Sequence, residues 1–221
     1  MARRPAGTPH RWASNEREAR ELEAAWAGVA ETETARRLMV AGVLAFAAKG
    51  YHATTTRDIA EHAGLSPGGL YVHFRSKEEL LYRIAVLGTR QTLERVREAV
   101  AEAPDDPEAR LRAAILALVE RGARYHTTSR VIEDELRSLD DAHRAEVAGL
   151  RREIEHTVRA ILEDGVRRGV FEVADVPVTA LAALSLVVDV ARWYRVSGRR
   201  SPAEVGALYA ELVGRMVRRT A

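Results

Sequence analysis

The chain has 221 residues, of which 34 are Lys or Arg and 32 are Asp or Glu, so its formal net charge at pH 7 is only +2. Overall charge therefore does not indicate a nucleic-acid partner, and any such function must depend on where the basic side chains lie. The absence of cysteine excludes disulfide bonds and thiolate metal sites, and it suits the reducing cytoplasm, where we expect the protein to work.

The composition favours helices, because Ala, Leu, Arg and Glu dominate while Gly and Pro are few. No run alternates apolar and polar residues for long between turn signals, so we predict an all-α fold. The basic start of the chain is not followed by an apolar segment, which argues against a secretory signal. The most apolar run, residues 180–191, is shorter than the ~20 residues of a membrane span, and we interpret it as a buried helix with no membrane partner.

Residues 1–31 are predicted to form an N-terminal extension. Its first part is a basic arm, which could contact DNA phosphates or the minor groove. A solvated, frayed terminus is the alternative that we favour for this arm. The arm contains Arg3, Arg4, His10 and Arg11.

An extra helix is predicted from about Asn15 to the end of this extension. The helix that follows it, residues 34–49, carries a second apolar stripe at Val40 and Leu44 in addition to the stripe that faces the domain core. We expect the extra helix to cover this second stripe. The covering side chains would be Leu22, Trp26 and Val29.

Two short helices and a tight turn are predicted within residues 54–75. Thr55 is placed to cap a helix over residues 56–62, with Asp58 returning the bond as in a capping box. A turn containing Gly64 follows, and the pair Ser66-Pro67 is typical of the start of a second, very short helix. Two short helices joined by such a turn indicate a helix-turn-helix, whose second helix enters a DNA major groove.

A long helix is predicted to begin after Ser76, because Ser76 and Glu79 form a second capping-box pattern. This helix extends to about residue 103. Several segments around these caps resemble the DNA-binding domain of the TetR family of one-component repressors. The matching segments are KGYHATT at residues 49–55, RDIA at 57–60, AGLS at 63–66, LYVHF at 70–74 and SKEELL at 76–81.

The resemblance implies a helix-turn-helix domain over residues 32–87 and an effector-binding and dimerisation domain over residues 88–221. It also implies that particular residues of the first domain contact the DNA backbone, base edges and phosphates. Because Gly68 and Gly69 offer almost no side chain, we expect discrimination to come largely from Arg57, from methyl contacts of Pro67 and from DNA shape. The implied DNA-binding residues are Thr56 and Arg57 in the first helix, Ser66, Pro67, Gly68 and Gly69 in the turn and second helix, and Tyr71, His73 and Lys77 after them.

The second domain is predicted to contain helices over about residues 108–125, 129–139, 142–168, 178–196 and 202–218, with Ser201 and Glu204 as the last capping box. The fourth of these is apolar almost all round and must be enclosed by other protein. The last carries a stripe of Val205, Leu208, Leu212 and Met216 and a small-residue row of Gly206, Ala210 and Gly214. Members of the family form homodimers through these last two helices and the same two helices of a second subunit. Without the family resemblance, ordinary packing within one chain would explain these apolar and small residues equally well.

A one-component repressor also needs a site for a small-molecule effector. We expect the helices between about residues 108 and 195 to enclose it. For each of the polar side chains proposed for it, a surface ion pair or a satisfied core contact is the alternative that we favour. The predicted effector residues are Leu118, Tyr125, His126, Glu133, Leu136, Arg137, Leu184, Val188 and Asp189.

The segment VARWYR at residues 190–195 is similar to the end of TetR-type regulators of lipid, fatty-acid or sterol catabolism that respond to acyl-CoA thioesters. The resemblance therefore implies a small apolar or acyl-CoA-like effector and no cofactor. The pair Trp193-Tyr194 has another interpretation, an aromatic plug at the dimer interface, and we favour it.

An enzyme and an architectural DNA-binding protein are the two alternative classes of function. An enzyme is not expected, because the sequence has no glycine-rich phosphate loop after a strand, no nucleophile elbow, and no HExxH or i, i+4 histidine pair for a metal. An architectural DNA-binding protein without an effector is the remaining alternative. It would bind without preference for a palindrome, whereas a repressor dimer would prefer an imperfect palindrome with half-sites about one helical turn apart.

Overall fold

A computed structural model describes residues 16–28 and 30–218 of the chain. Within these residues the chain is built from helices, and its one β-type contact is an isolated antiparallel bridge between Phe171 and Arg218. The predicted all-α class is confirmed. The helices are α1 (Glu16–Ala25), α2 (Glu33–Lys49), α3 (Thr56–His62), a 3-10 helix (Gly69–Val72), α4 (Lys77–Glu102), α5 (Pro107–Arg124), α6 (His126–Glu135), a 3-10 helix (Leu136–Ser138), α7 (Asp141–Arg167), α8 (Val176–Trp193) and α9 (Pro202–Val217).

The chain divides into two compact units, one ending at Arg83 and one beginning at Ile84. The first unit contains α1 to α3, the 3-10 helix after them and the first turns of α4. The second contains the rest of α4 and the remaining helices. Each unit has its own buried apolar core, as a folded domain requires.

The predicted helix caps explain where several helices begin. Thr55 accepts a hydrogen bond from the Asp58 amide at 3.1 Å, and the Asp58 carboxylate accepts one from the Thr55 amide at 3.0 Å. Ser201 and Glu204 form the same reciprocal box at the start of α9. At the start of α4 the prediction is only half right. The Ser76 hydroxyl accepts from the Glu79 amide, but the Glu79 carboxylate accepts from the Arg75 amide rather than from the cap residue.

The N-terminal extension contains α1, which packs against α2. Trp26, only 1% exposed, and Leu22 are buried in the first unit, as are the stripe residues Val40 and Leu44. Arg36 of α2 donates to the Glu23 carbonyl of α1 at 2.8 Å, which adds a polar tie to the apolar contact. Val29 and the basic arm of Arg3, Arg4, His10 and Arg11 lie outside the described residues.

The reading element, the second helix of the predicted helix-turn-helix, is very short as predicted but begins at Gly69 rather than at the Ser66-Pro67 pair. Between Ser66 and Gly68 the chain forms turns, and the helix that follows is a single 3-10 turn, Gly69–Val72. Two adjacent glycines carry a helix-propensity cost of up to ~1 kcal/mol each, which disfavours a longer α-helix here. Buried Leu70 and Phe74 hold this turn on the domain core.

In the second unit α5 lies at the centre and packs against α6, α7, α8 and α9. Gly206, in the small-residue row of α9, faces α5, whereas Gly214 of the same row has open space around it. A Cβ added to Gly206 would lie 3.4 Å from the Leu116 carbonyl oxygen and 3.1 Å from Glu120 Cγ. The stripe predicted on α9 is also divided, because Val205 is buried with this row while Leu208, Leu212 and Met216 are exposed.

α8 is not buried on all sides within one chain, so our interpretation of residues 180–191 as a buried helix is wrong for the single chain. One face, which includes Ala183, Val187 and Val190, lies in the core, and the opposite face is exposed. In the described part of the chain α8 is the one helix long and apolar enough to cross a membrane, with a mean hydropathy of 1.5 and 28% of its length buried. Core and interface helices of soluble proteins have the same length and composition, so this feature does not indicate a membrane by itself.

Candidate nucleic-acid interface

The surface formed by α3 and the following 3-10 helix brings together most of the residues predicted to bind DNA. The Thr56 hydroxyl lies 3.3 Å from the Tyr71 hydroxyl, which joins the start of α3 to the 3-10 helix. The Tyr71 side chain is 58% exposed, although its neighbour Leu70 is fully buried. The phenol therefore stands at the surface with a polar tip that can donate to a phosphate.

The two glycines have different surroundings. A Cβ at Gly68 would meet no heavy atom within 4 Å, so the backbone here is open to a partner. A Cβ at Gly69 would lie 3.0 Å from Leu65 Cβ, so this glycine allows the 3-10 turn to pack on Leu65, four residues earlier. Ser66 and Pro67 are exposed next to Gly68. The turn therefore has an open backbone at Gly68 and small, exposed side chains on one side of it.

Arg57 is exposed on α3 and is held by an acidic neighbour. Its Nε donates to the Glu61 carboxylate at 2.8 Å, one helical turn along the same helix. This hydrogen bond and charge from Glu61 raise the pKa of Arg57, so the guanidinium stays fully charged. Because the pair is exposed, it is weak, and a DNA phosphate can replace Glu61 as the acceptor.

Lys77 has a role that the sequence did not indicate. Its ammonium donates to the carbonyl oxygens of Tyr51 and Thr54, both at 2.7 Å, and lies 4.1 Å from the centre of the Tyr51 ring. The side chain thus fastens the start of α4 to the link between α2 and α3. A phosphate contact by Lys77 stays a prediction, and it would have to be made in addition to this structural one.

His73 ends the 3-10 helix and is half-buried. Its amide donates to the Leu70 carbonyl at 3.0 Å, and its Nδ1 lies 3.4 Å from the Thr32 hydroxyl. Thr32 is the N-cap of α2, so a residue of the first long helix holds the imidazole. The other ring nitrogen, Nε2, is the one that can contact a phosphate.

Val72 was missed by sequence reasoning. It is 79% exposed, the highest value among the large apolar side chains in the described ranges, and lies between Tyr71 and His73 on the reading element. An apolar side chain at this place can contact a thymine methyl group in a major groove. The signal in the sequence was its position in LYVHF, where Leu70 and Phe74 occupy the core and the residues between them must point outward.

The residues predicted for the effector site have different surroundings, and their role stays a prediction. Leu118 is buried, Tyr125 ends α5, and the His126 ring lies edge-on to Tyr194 at 5.7 Å. The others lie nearer the surface. Glu133 binds Arg151 at 2.6 Å, Leu136 and Leu184 are half-buried, Arg137 and Val188 are exposed, and the exposed Asp189 pairs with Arg192 at 3.8 Å.

Arg121 is a further polar residue in this region that the sequence did not single out. Its Nε donates to the Thr92 hydroxyl at 2.9 Å, its Nη2 donates to Gln91 Oε1 at 2.8 Å, and its guanidinium lies 4.9 Å from the Tyr125 ring centre. Both acceptors are neutral, and burial lowers the pKa of Arg121. A desolvated cation with neutral acceptors is well suited to an anionic or carbonyl group of a ligand.

A groove of about 350 Å³ lies elsewhere in the second unit, between α4, α5 and α7. Its lining is mainly apolar and includes Arg97 and Arg110. Both arginines are paired with acids, Arg97 with Glu153 at 2.6 Å and Arg110 with Asp105 at 3.1 Å. None of the predicted effector residues lines this groove.

Comparisons with known proteins agree with this architecture. Residues 38–84 match the family model described as bacterial regulatory proteins, tetR family, and residues 104–217 match a tetracyclin repressor-like C-terminal domain. The chain is 32% identical over 173 residues to the HTH-type transcriptional repressor KstR2 of Rhodococcus jostii strain RHA1, which covers 76% of this chain and 83% of the relative.

Two solved structures extend the comparison. A bacterial regulatory protein in the tetR family from Rhodococcus RHA1 is 38% identical, with a TM-score of 0.80 over 86% of this chain and all of the other. AibR, solved in complex with isovaleryl coenzyme A and operator DNA, is 22% identical and has a TM-score of 0.73 over 84% of this chain and 98% of the other, which shows a shared fold. The chain therefore belongs to the TetR family of bacterial transcriptional regulators.

Proposed function

We propose that this chain is a cytoplasmic transcriptional repressor that binds a palindromic DNA operator as a homodimer and is released by a small apolar or acyl-CoA-like effector. The observation that carries the proposal is the exposed surface around the 3-10 helix, where open Gly68, Tyr71 and Val72 stand on a buried anchor. Such a surface combines close backbone approach with side chains for phosphates and bases. Family membership supports the same function.

The dimer is supported by the exposed apolar side chains of α8 and α9. An exposed apolar area of this extent on a soluble protein indicates a contact surface. A second copy can cover it with the same two helices, which gives a four-helix interface with twofold symmetry. The exposed side chains are Val178, Leu181, Leu186, Val188 and Trp193 of α8 and Leu208, Leu212 and Met216 of α9.

The dimer interface is tested by replacing Leu208 and Leu212 together with glutamate. Both side chains are exposed in the single chain, so the variant should fold, while buried carboxylates should prevent a symmetric contact. Sedimentation should show a dimer for the wild type and a monomer for the variant. Arg152→Glu, at an exposed position of α7, is the matched control. A variant that stays dimeric would contradict this interface.

DNA binding is tested with Arg57→Ala and Glu61→Ala. Arg57→Ala removes one cation from the proposed interface and should weaken operator binding about tenfold, with the dimer still folded. Glu61→Ala removes the acid that competes for Arg57 and should strengthen binding. Retained affinity in Arg57→Ala would contradict its role. Equal affinity for palindromic and scrambled duplexes would favour an architectural protein instead.

The effector proposal is supported by half-buried Arg121, whose guanidinium lies over the Tyr125 ring, and by the contact of the His126 ring with buried Tyr194. The ligand in the AibR structure is an acyl-CoA, which offers a carbonyl, phosphates and an apolar chain. The test is whether acyl-CoA thioesters of increasing chain length, beginning with isovaleryl-CoA, release operator DNA from the protein. Arg121→Met should still bind DNA but respond less to the ligand. If no thioester in the series releases DNA or raises the Tm, the acyl-CoA part of the proposal is wrong.

A further inference from the structure

We propose that Arg75, which follows the reading element, binds a DNA phosphate and supplies the cation at this edge of the interface. The inference rests on the proposed DNA-binding function and adds a residue to it, because the family resemblance implied Lys77 as the cation here. Arg75 is exposed and lies two residues after His73 and four after Tyr71, the other two proposed phosphate donors. A guanidinium beside them adds a charged donor, whose hydrogen bonds to a phosphate are stronger than those of a neutral one.

Arg75 differs from the other cations of the first unit in having a free charged group. Within the described residues of this unit, it is the one Lys or Arg whose side chain has no partner in the chain. It therefore has no ion pair to break before it meets a phosphate, whereas Arg57 must leave Glu61. Of the others, Arg36, Lys49, Arg57 and Arg83 pair with carboxylates, Arg37 and Lys77 donate to carbonyl oxygens, and Arg20 also has a partner.

The backbone of Arg75 is held on both sides while its side chain stays free. Phe74, directly before it, is buried in the first unit. The Arg75 amide donates to the Glu79 carboxylate of α4 at 2.7 Å, and the Glu79 amide donates to the Ser76 hydroxyl at 3.0 Å. Glu79 thus binds the backbone of Arg75 and leaves the guanidinium for a partner outside the chain. A backbone that is fixed before DNA arrives loses less entropy on binding.

Lys77 is less suited to this phosphate contact. Its ammonium already donates to the carbonyls of Tyr51 and Thr54 and lies over the Tyr51 ring. A phosphate that drew this ammonium away would break the tie between α4 and the link before α3. The planar guanidinium of Arg75 has five donors and can bind a phosphate through two parallel hydrogen bonds without such a loss.

The test is the salt dependence of binding to two duplexes, one selected by the wild-type dimer and one with the same bases scrambled. Each phosphate that a cation neutralises contributes about 0.9 to the slope of log K against log salt concentration. Arg75→Gln removes one contact per subunit and should therefore reduce the slope by about 1.8. The affinity for both duplexes should fall about tenfold or more, because a phosphate contact carries no sequence information. Arg75→Lys keeps the charge and should keep the slope.

Arg152→Gln is the matched control, because Arg152 is also an exposed cation and lies on α7 of the second unit. It changes the net charge by the same amount and should keep the wild-type slope. An unchanged slope in Arg75→Gln would overturn the proposal. A reduced slope in folded Lys77→Met, with an unchanged slope in Arg75→Gln, would assign the phosphate contact to Lys77 instead. If the wild type binds neither duplex, the proposed function itself fails; if it binds and Arg75→Gln behaves like it, only the role of Arg75 is wrong.

Discussion

The Lys77→Met substitution tests whether this lysine is a structural tie of the first unit. Lys77 donates to two backbone carbonyls at 2.7 Å and lies over the Tyr51 ring. Hydrogen bonds from a charged donor contribute about 1.5–3 kcal/mol each, and an exposed cation–π contact contributes about 0.5–1 kcal/mol. Because the site is half-buried and water can replace the lost donor, we expect a net loss of about 2 kcal/mol.

Urea unfolding of the full chain measures this loss, with Trp26 as the reporter because it is buried in the first unit. Trp12 and Trp193 are replaced by phenylalanine in every variant so that Trp26 alone is observed. For a slope of about 2 kcal/mol per M, the midpoint should fall by about 1 M urea. Lys49→Met is the matched control, because its exposed ion pair with Asp58 at 3.2 Å should contribute less than about 0.5 kcal/mol. If the two variants shift the midpoint equally, the tie has no structural importance.

Three further predictions follow from packing, charge and exposure. Gly165→Ala should lower stability by about 2–3 kcal/mol in thermal unfolding, because the new Cβ would overlap the Phe171 ring and lie 2.6 Å from Phe171 Cγ. Gly122→Ala is the control and should be neutral or stabilising, because a Cβ there meets nothing within 4 Å. The hydrogen bond from the Thr55 amide lowers the pKa of Asp58, so the ionised carboxylate stabilises the folded state above its ordinary pKa. This stabilisation is lost as the pH falls through the lowered pKa. Asp58→Asn should therefore flatten the dependence of stability on pH below about pH 4, and an unchanged dependence would contradict this. Val72→Ser should leave the Tm unchanged and reduce operator affinity about threefold or more, and a lower Tm would mean that Val72 packs inside.

Much of the helical framework could be predicted because its signals are local. A cap such as Thr55 with Asp58, or Ser201 with Glu204, depends on residues three positions apart, so the sequence contains all of the chemistry that starts the helix. The half-formed box at Ser76 shows the limit of this reasoning. Glu79 accepts from the Arg75 amide because the chain before the cap turns in a way that the local pattern does not specify.

The features that could not be predicted depend on contacts between distant residues. Lys77 meets carbonyls 26 and 23 positions earlier, whereas the family resemblance implied a phosphate contact for it. The small-residue row of α9 indicated close approach by another backbone, but only the fold shows that α5 lies against Gly206. α8 is apolar on both faces, and such a pattern does not say which face lies in the chain's own core.

The central claim is that the surface of α3 and the 3-10 helix recognises a specific DNA sequence twice per dimer. The most direct measurement is selection of duplexes from a random pool by the purified chain, followed by sequencing. We expect enrichment of an imperfect inverted repeat whose half-sites lie about one helical turn apart, and loss of that enrichment for Tyr71→Ala. Enrichment of no motif, or recovery of the same motif by Tyr71→Ala at equal strength, would show that this surface does not recognise a specific DNA sequence.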